Sequence, residues 1–176
     1  MNQRSTTIPL LICALFCSAN AQTGMIPKDP RSSEYKVQMM SGSAKSGSWM
    51  GRRLRDGATF RVVARRYANS EEATSIAEDA TKSPRLNEKR PFVTISPYSH
   101  RSVGERLWCT AMDVKPDGSI VMIVVSGRDV YRGYISNLSQ GPGHQVLRHP
   151  VTNEDVCDLE DIILDTIHHV AEQEAK

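Results

Sequence analysis

The chain has 176 residues, a formal net charge of +2, 39% hydrophobic residues and 24% charged residues. These proportions exclude wholesale disorder. So small a net charge excludes a molecule drawn as a whole to nucleic acid or to anionic lipid.

The N-terminus carries one charge, Arg4, then the apolar run Ile8-Pro9-Leu10-Leu11-Ile12-Cys13-Ala14-Leu15-Phe16-Cys17, then Ser18-Ala19-Asn20-Ala21. This pattern of n-region, h-region and A-x-A site predicts a secretory signal peptide over residues 1–21, cleaved after Ala21. The run falls short of the roughly 20 apolar residues that span a bilayer. Neither Cys13, after Ile12, nor Cys17, after Phe16, has the small preceding residues of a lipidation site. Roughly 155 residues then remain, the size of one domain, with no further apolar stretch long enough to cross a membrane.

Residues 22–34 contain Pro27 and Pro30 and predict an extended, flexible leader before a single domain over residues 35–176. Residues 35–40 read as a first strand and the Ser/Gly-rich residues 41–51 as a loop. In Thr59-Phe60-Arg61-Val62-Val63-Ala64-Arg65-Arg66, alternation puts Phe60, Val62 and Ala64 on one face and Arg61, Val63 and Arg65 on the other. Asn69 followed by Glu72 has the spacing of a capping box and predicts a helix to about Lys82, before Pro84. Pro91 and Pro97 bracket a short strand, which favours an edge position.

Leu107 to Val114 and Ser119 to Val125 flank Lys115-Pro116-Asp117-Gly118, a hairpin signal, and residues 130–136 add a third antiparallel strand. Residues 137–143 read as a loop and 144–149 as a short strand. From about Thr152 a last helix places Val156, Leu159, Ile162, Ile163, Ile167 and Val170 on one face, and Asp158, Asp161, Asp165 and His169 on the other.

After cleavage the cysteines are Cys109 and Cys157, which predict a disulfide in an oxidising compartment. Closing a loop of about 48 residues would stabilise the fold by about 4 kcal/mol. Two buried thiols are the competing reading.

Charge is unevenly distributed. Lys45, Arg52, Arg53, Arg55, Arg61, Arg65 and Arg66 face one carboxylate, Asp56, in residues 45–66, whereas eight carboxylates face only Lys176 in residues 154–176. Arg52, Arg53, Arg55, Arg61 and Arg65 are therefore candidate binding residues for an acidic partner. The acidic helix could equally neutralise them from within the molecule. Asp165/His169 and His168/Glu172 have i, i+4 spacing, but two ligands do not make a metal site. Ser33-Glu34-Tyr35-Lys36 matches S-x-x-K without its companion motifs, and His100 is the one mid-chain loop histidine that could serve as a general base. No cofactor motif is present.

Thr81-Lys82-Ser83-Pro84-Arg85-Leu86, then Arg90-Pro91-Phe92-Val93-Thr94-Ile95, then Val114-Lys115-Pro116-Asp117-Gly118-Ser119-Ile120-Val121-Met122 follow one another between residues 80 and 125. This segment resembles the core β-domain of bacterial secretins, the outer-membrane pore subunits of type II and type III secretion. The chain lacks that family's glycine-rich gate, so the resemblance implies a stand-alone β-domain for envelope assembly or binding and not a channel.

The sequence thus predicts an α+β domain: a mainly antiparallel sheet of about five strands, one mid-chain helix, and a C-terminal helix tethered by a disulfide. The leading functional expectation is a non-enzymatic exported protein, periplasmic or secreted, that binds a protein or other envelope component through the sheet edge or the arginine face. An inhibitor or immunity protein and a small secreted hydrolase are the alternatives. Nucleic acid is not expected as a partner, since the basic face lacks interleaved aromatic residues.

Overall fold

The alternating stretches of the sequence pair into one broad sheet in a computed structural model of the chain, which describes residues 24–27, 31, 33–82, 93–94, 103–114, 117–136, 138–141, 144–147 and 152–176. The expected signal peptide, the hairpin tip at Lys115-Pro116 and the loop carrying His100 lie outside the described residues.

The elements in chain order are β1 (Tyr35–Gly42), β2 (Ser46–Arg53), β3 (Thr59–Arg66), α1 (Ser70–Thr81), β4 (Val93–Thr94), β5 (Arg106–Val114), β6 (Asp117–Ser126), β7 (Asp129–Ser136), β8 (Leu138–Gly141), β9 (His144–Leu147) and α2 (Asn153–Glu174). The fold is α+β. One sheet of seven antiparallel strands runs β1-β2-β3-β7-β6-β5-β4, and β8 and β9 form a separate hairpin. Two meanders, β1–β2–β3 and β5–β6–β7, meet where β3 pairs with β7. The proline-bracketed strand β4 lies at an edge, as its missing donors require.

The extra strands come from two stretches expected to be loops, β2 from the Ser/Gly-rich residues 41–51 and β8 from residues 137–143. β1 continues to Gly42, and β2 occupies Ser46–Arg53. Its glycines make room for larger groups on the same face. A Cβ on Gly51 would lie 2.3 Å from the Trp49 ring, and one on Gly47 would lie 2.4 Å from Ile26. Trp49 is 1% exposed and packs edge-on to Tyr35, with centroids 5.6 Å apart.

The two helices cover opposite faces of the sheet. α2 crosses β3 and β7 and buries Val156, Leu159, Ile162, Ile163 and Val170 against Phe60, Val62, Ala64, Met122, Tyr131 and Ile135. Each such side chain contributes about 1.5–3 kcal/mol relative to exposure. α1 packs mainly on β6 and β7, burying Ala73 and Ala77 against Ile123, Val125 and Val130, with Trp108 of β5 at its side. Both helices begin as the sequence predicts. Asn69 accepts from the Glu72 N–H at 2.8 Å, and Thr152 and Asp155 form a reciprocal capping box.

Two expectations need correction. Met25 and Ile26, in the stretch read as a flexible leader, are buried in the main core; the Met25 N–H donates to Ser43 C=O at 3.2 Å. The leader reading weighed Pro27 and Pro30 and missed two apolar side chains that fit beside β2.

The expected Cys109–Cys157 disulfide is absent. Cys109 points from β5 into the core beneath α2, whereas Cys157 lies on the exposed side of α2, one residue past the inward-facing Val156. Burial, with the neighbouring Glu160 charge second, pushes the Cys109 thiol up to about 12. Helix docking rests on apolar packing and ion pairs instead.

Candidate interaction surface

Residues 52–66 alternate along β2 and β3, and the sheet sorts their arginines by parity. Arg53 falls on the α2 side with Trp49 and Phe60, whereas Arg52, Arg61 and Arg65 fall on the other. The two sets behave differently.

On the α2 side the arginines are committed to internal partners. Arg53 is 4% exposed and is bound by Asp56, Asp155 and Asp158, with its guanidinium 5.0 Å above the Phe60 ring centroid. Burial opposes its charge, but the three carboxylates outweigh that cost and hold its pKa above the ordinary arginine value. Burial likewise acts to raise the Asp155 carboxyl. The Thr152 N–H and Arg53 win, and its pKa is lowered.

Arg55 bonds Glu154 and, at 3.0 Å, Asp158. Arg66 makes two hydrogen bonds of 2.8 Å to Asp129. Arg31 reaches Asp165 at 2.8 Å and Asp161 at 3.3 Å. The acidic face of α2 therefore neutralises part of the basic segment. His169, in i, i+4 spacing with Asp165, lies 3.2 Å from the Gly24 carbonyl, and no metal-holding cluster occurs among the described residues.

Among the described residues no helix packs on the opposite face of β1, β2 and β3, since α1 lies over β6 and β7 with β5 at its side. Here Lys36 stands directly across from Arg52, and Met50 pairs across to Arg61 and on to Tyr134. Val63 pairs with Arg132, and Arg65 lies two residues beyond Val63 on β3. Lys36, Arg52, Arg61, Arg132 and Arg65 thus follow a diagonal across three strand spacings, on the order of 15 Å, with Met50, Val63 and Tyr134 among them.

Arg132 is half-buried and the other cations are exposed. None of the five makes an ion pair among the described residues. Arg52 donates to the Gly57 carbonyl at 3.3 Å.

Sequence explains the missing counter-charge. β1, β2 and β3 contain no Asp or Glu, and the only one in β7, Asp129, turns to the other face to hold Arg66. Of the four α1 carboxylates, Glu72 accepts from the Ala68 N–H, Glu78 pairs with Arg106 and Asp79 pairs with Lys82, while Glu71 is exposed in the first turn. Like charges directly opposite each other in a sheet are destabilising, so the Lys36–Arg52 pair carries an uncompensated cost. Beside it, Lys36, Arg52, Leu54, Arg55, Gly57 and the Arg53-bound Asp56 line a shallow recess of about 410 Å³.

Of the candidates read from sequence, Arg52, Arg61 and Arg65 converge on this surface, and Arg53 and Arg55 do not. Lys36 and Arg132 were missed. Alternation within each strand was available as a signal, but the register that aligns β1 and β7 with β2 and β3 is set by long-range pairing. No family model, curated protein or solved structure matches the chain.

Proposed function

We propose that this chain is an exported, non-enzymatic binding protein that docks an acidic protein partner of the cell envelope on the uncovered face of β1, β2, β3 and β7. The single observation that carries this reading is the diagonal of Lys36, Arg52, Arg61, Arg132 and Arg65 on a face to which β1, β2 and β3 bring no Asp or Glu, while Arg53 and Arg66 on the other face are paired internally. Selective neutralisation on one face and not the other supports a surface that completes its electrostatics in a complex. Met50, Val63 and Tyr134 supply apolar contact between the charges. The resemblance of residues 80–125 to secretin β-domains supports the envelope setting.

The test is capture from envelope extract on the immobilised chain, beside a variant with Arg61→Glu and Arg65→Glu. The retained partner is then identified, purified and titrated. An acidic protein that binds the parent chain, associates at least about tenfold more slowly with the variant, and weakens with added salt is the expected result. Equal binding to both forms refutes the basic face as the site.

A further inference from the structure

Val37, Met39, Met40 and Leu54 are exposed large hydrophobic residues, between 37% and 61% exposed. The first three lie on β1, the outermost strand, and Leu54 directly follows β2. Among the described residues the main chain of β1 has no strand on its outer side either. The Leu54 N–H donates to the Glu34 carbonyl at 2.9 Å, so Tyr35 and Arg53 oppose each other as a non-hydrogen-bonded pair. Alternation then turns the N–H and C=O of Val37 to the free edge.

At the other end, the Ser43 N–H donates to the Ser46 carbonyl, and counting back through the register turns the N–H of Met40 outward too. Between them the register shifts at a bulge. β1 contains no proline, and Lys36 is its one charge. An edge of this kind is a template for another strand.

We propose that the β1 edge accepts an extended strand from an acidic partner, continuing the sheet by one antiparallel or parallel strand. Main-chain bonds to Val37 and Met40 supply affinity. Side-chain alternation supplies specificity, with carboxylates toward the Lys36–Arg52 face and apolar residues toward Val37 and Met40 on the face of Gly51 and Trp49. A second copy fits poorly, because two-fold pairing of β1 with itself would set both cationic diagonals on one continuous face with no carboxylate between them. The inference rests on the acidic-partner reading for the charge of the guest strand.

The probe is a labelled octapeptide of alternating glutamate and valine, titrated onto the full chain beside octaglutamate, with amide hydrogen exchange followed residue by residue. The expected result is binding of the alternating peptide with exchange at Val37 and Met40 slowed at least about tenfold at saturation. Val37→Pro, which removes an outward N–H at an edge position that tolerates proline, should weaken that peptide about tenfold and leave octaglutamate unaffected. Exchange in the parent chain decides the matter should the proline variant fail to fold.

Binding without slowed exchange at Val37 and Met40, or binding of octaglutamate alone, overturns strand docking and leaves the cationic face standing. Binding of neither peptide overturns both. Slowed exchange that depends only on the concentration of the chain itself makes the occupant a second copy and also overturns the proposal.

Discussion

Replacing Arg53 with methionine keeps most of the side-chain stem over Phe60 and deletes the charge. Asp155, 1% exposed, then loses its guanidinium and keeps only its bonds to Thr152, while Asp158 retains Arg55. Removing one partner of a buried pair costs about 3–5 kcal/mol, and the surviving Thr152 bonds place this case near the lower end, about 3 kcal/mol. That is a large share of the 5–15 kcal/mol typical of a domain. Urea unfolding followed by tryptophan fluorescence should show the midpoint lowered by about 1–3 M with little change in slope.

The dependence on pH supplies a second, sharper test. In the parent chain the Asp155 carboxyl is held below its ordinary value of 3.8. Its contribution is present above that value and is lost as pH falls through the lowered pKa. Without Arg53, burial is opposed only by the Thr152 bonds and the same carboxyl rises from its value in the parent. The variant should then regain stability relative to the parent as pH drops from 7 to about 5. Arg55→Met, at a half-exposed pair, should cost no more than about 1 kcal/mol. A loss below about 1 kcal/mol in the Arg53 variant, or a gap between parent and variant that ignores pH, would refute the assignment of α2 docking to this network.

Gly51→Ala should destabilise by about 1–3 kcal/mol and shift the tryptophan emission, because the new methyl meets the rigid Trp49 ring; an unchanged melting temperature and spectrum would show that the ring can move aside. In a Cys13→Ser, Cys17→Ser background, Ellman's reagent should modify Cys157 rapidly in the native protein and Cys109 only after unfolding, following their exposed and buried positions. Two thiols that resist the reagent until a reductant is added would indicate a disulfide instead.

Local signals carried much of the architecture. Asn69 and Glu72 set the start of α1, Thr152 sets that of α2, and the apolar spacing from Val156 to Val170 identifies the buried side of the last helix. Alternation in β3 separated Phe60, Val62 and Ala64 from Arg61, Val63 and Arg65 correctly. The failures share a cause. β2 is hidden because Gly47 and Gly51 have low strand propensity, and they leave room for Ile26 from the N-terminal segment and for the ring of Trp49 in the same strand. The disulfide was inferred from an even cysteine count, whereas helix phase turns Cys157 outward. The arginine cluster was read as one face because sequence proximity carries no parity until the strand is placed, after which Arg52 and Arg53 lie on opposite sides of the sheet.

The bond from Arg31 to Asp165 joins residues 134 positions apart, and the core around Trp49, Phe60 and Val62 takes in Met25 and Ile26 together with the apolar side of α2, near the two extremities of the described chain. During synthesis at 5–20 residues per second, the first meander therefore waits on the order of ten seconds for α2. Over that interval its inner face lacks α2, and the contacts that close it are long-range ones of the kind that slow folding. A ribosome-stalled chain ending before residue 153 should be protease-sensitive throughout the first meander. Emergence of α2, rather than emergence of the sheet, is then the event expected to complete the core over the first meander.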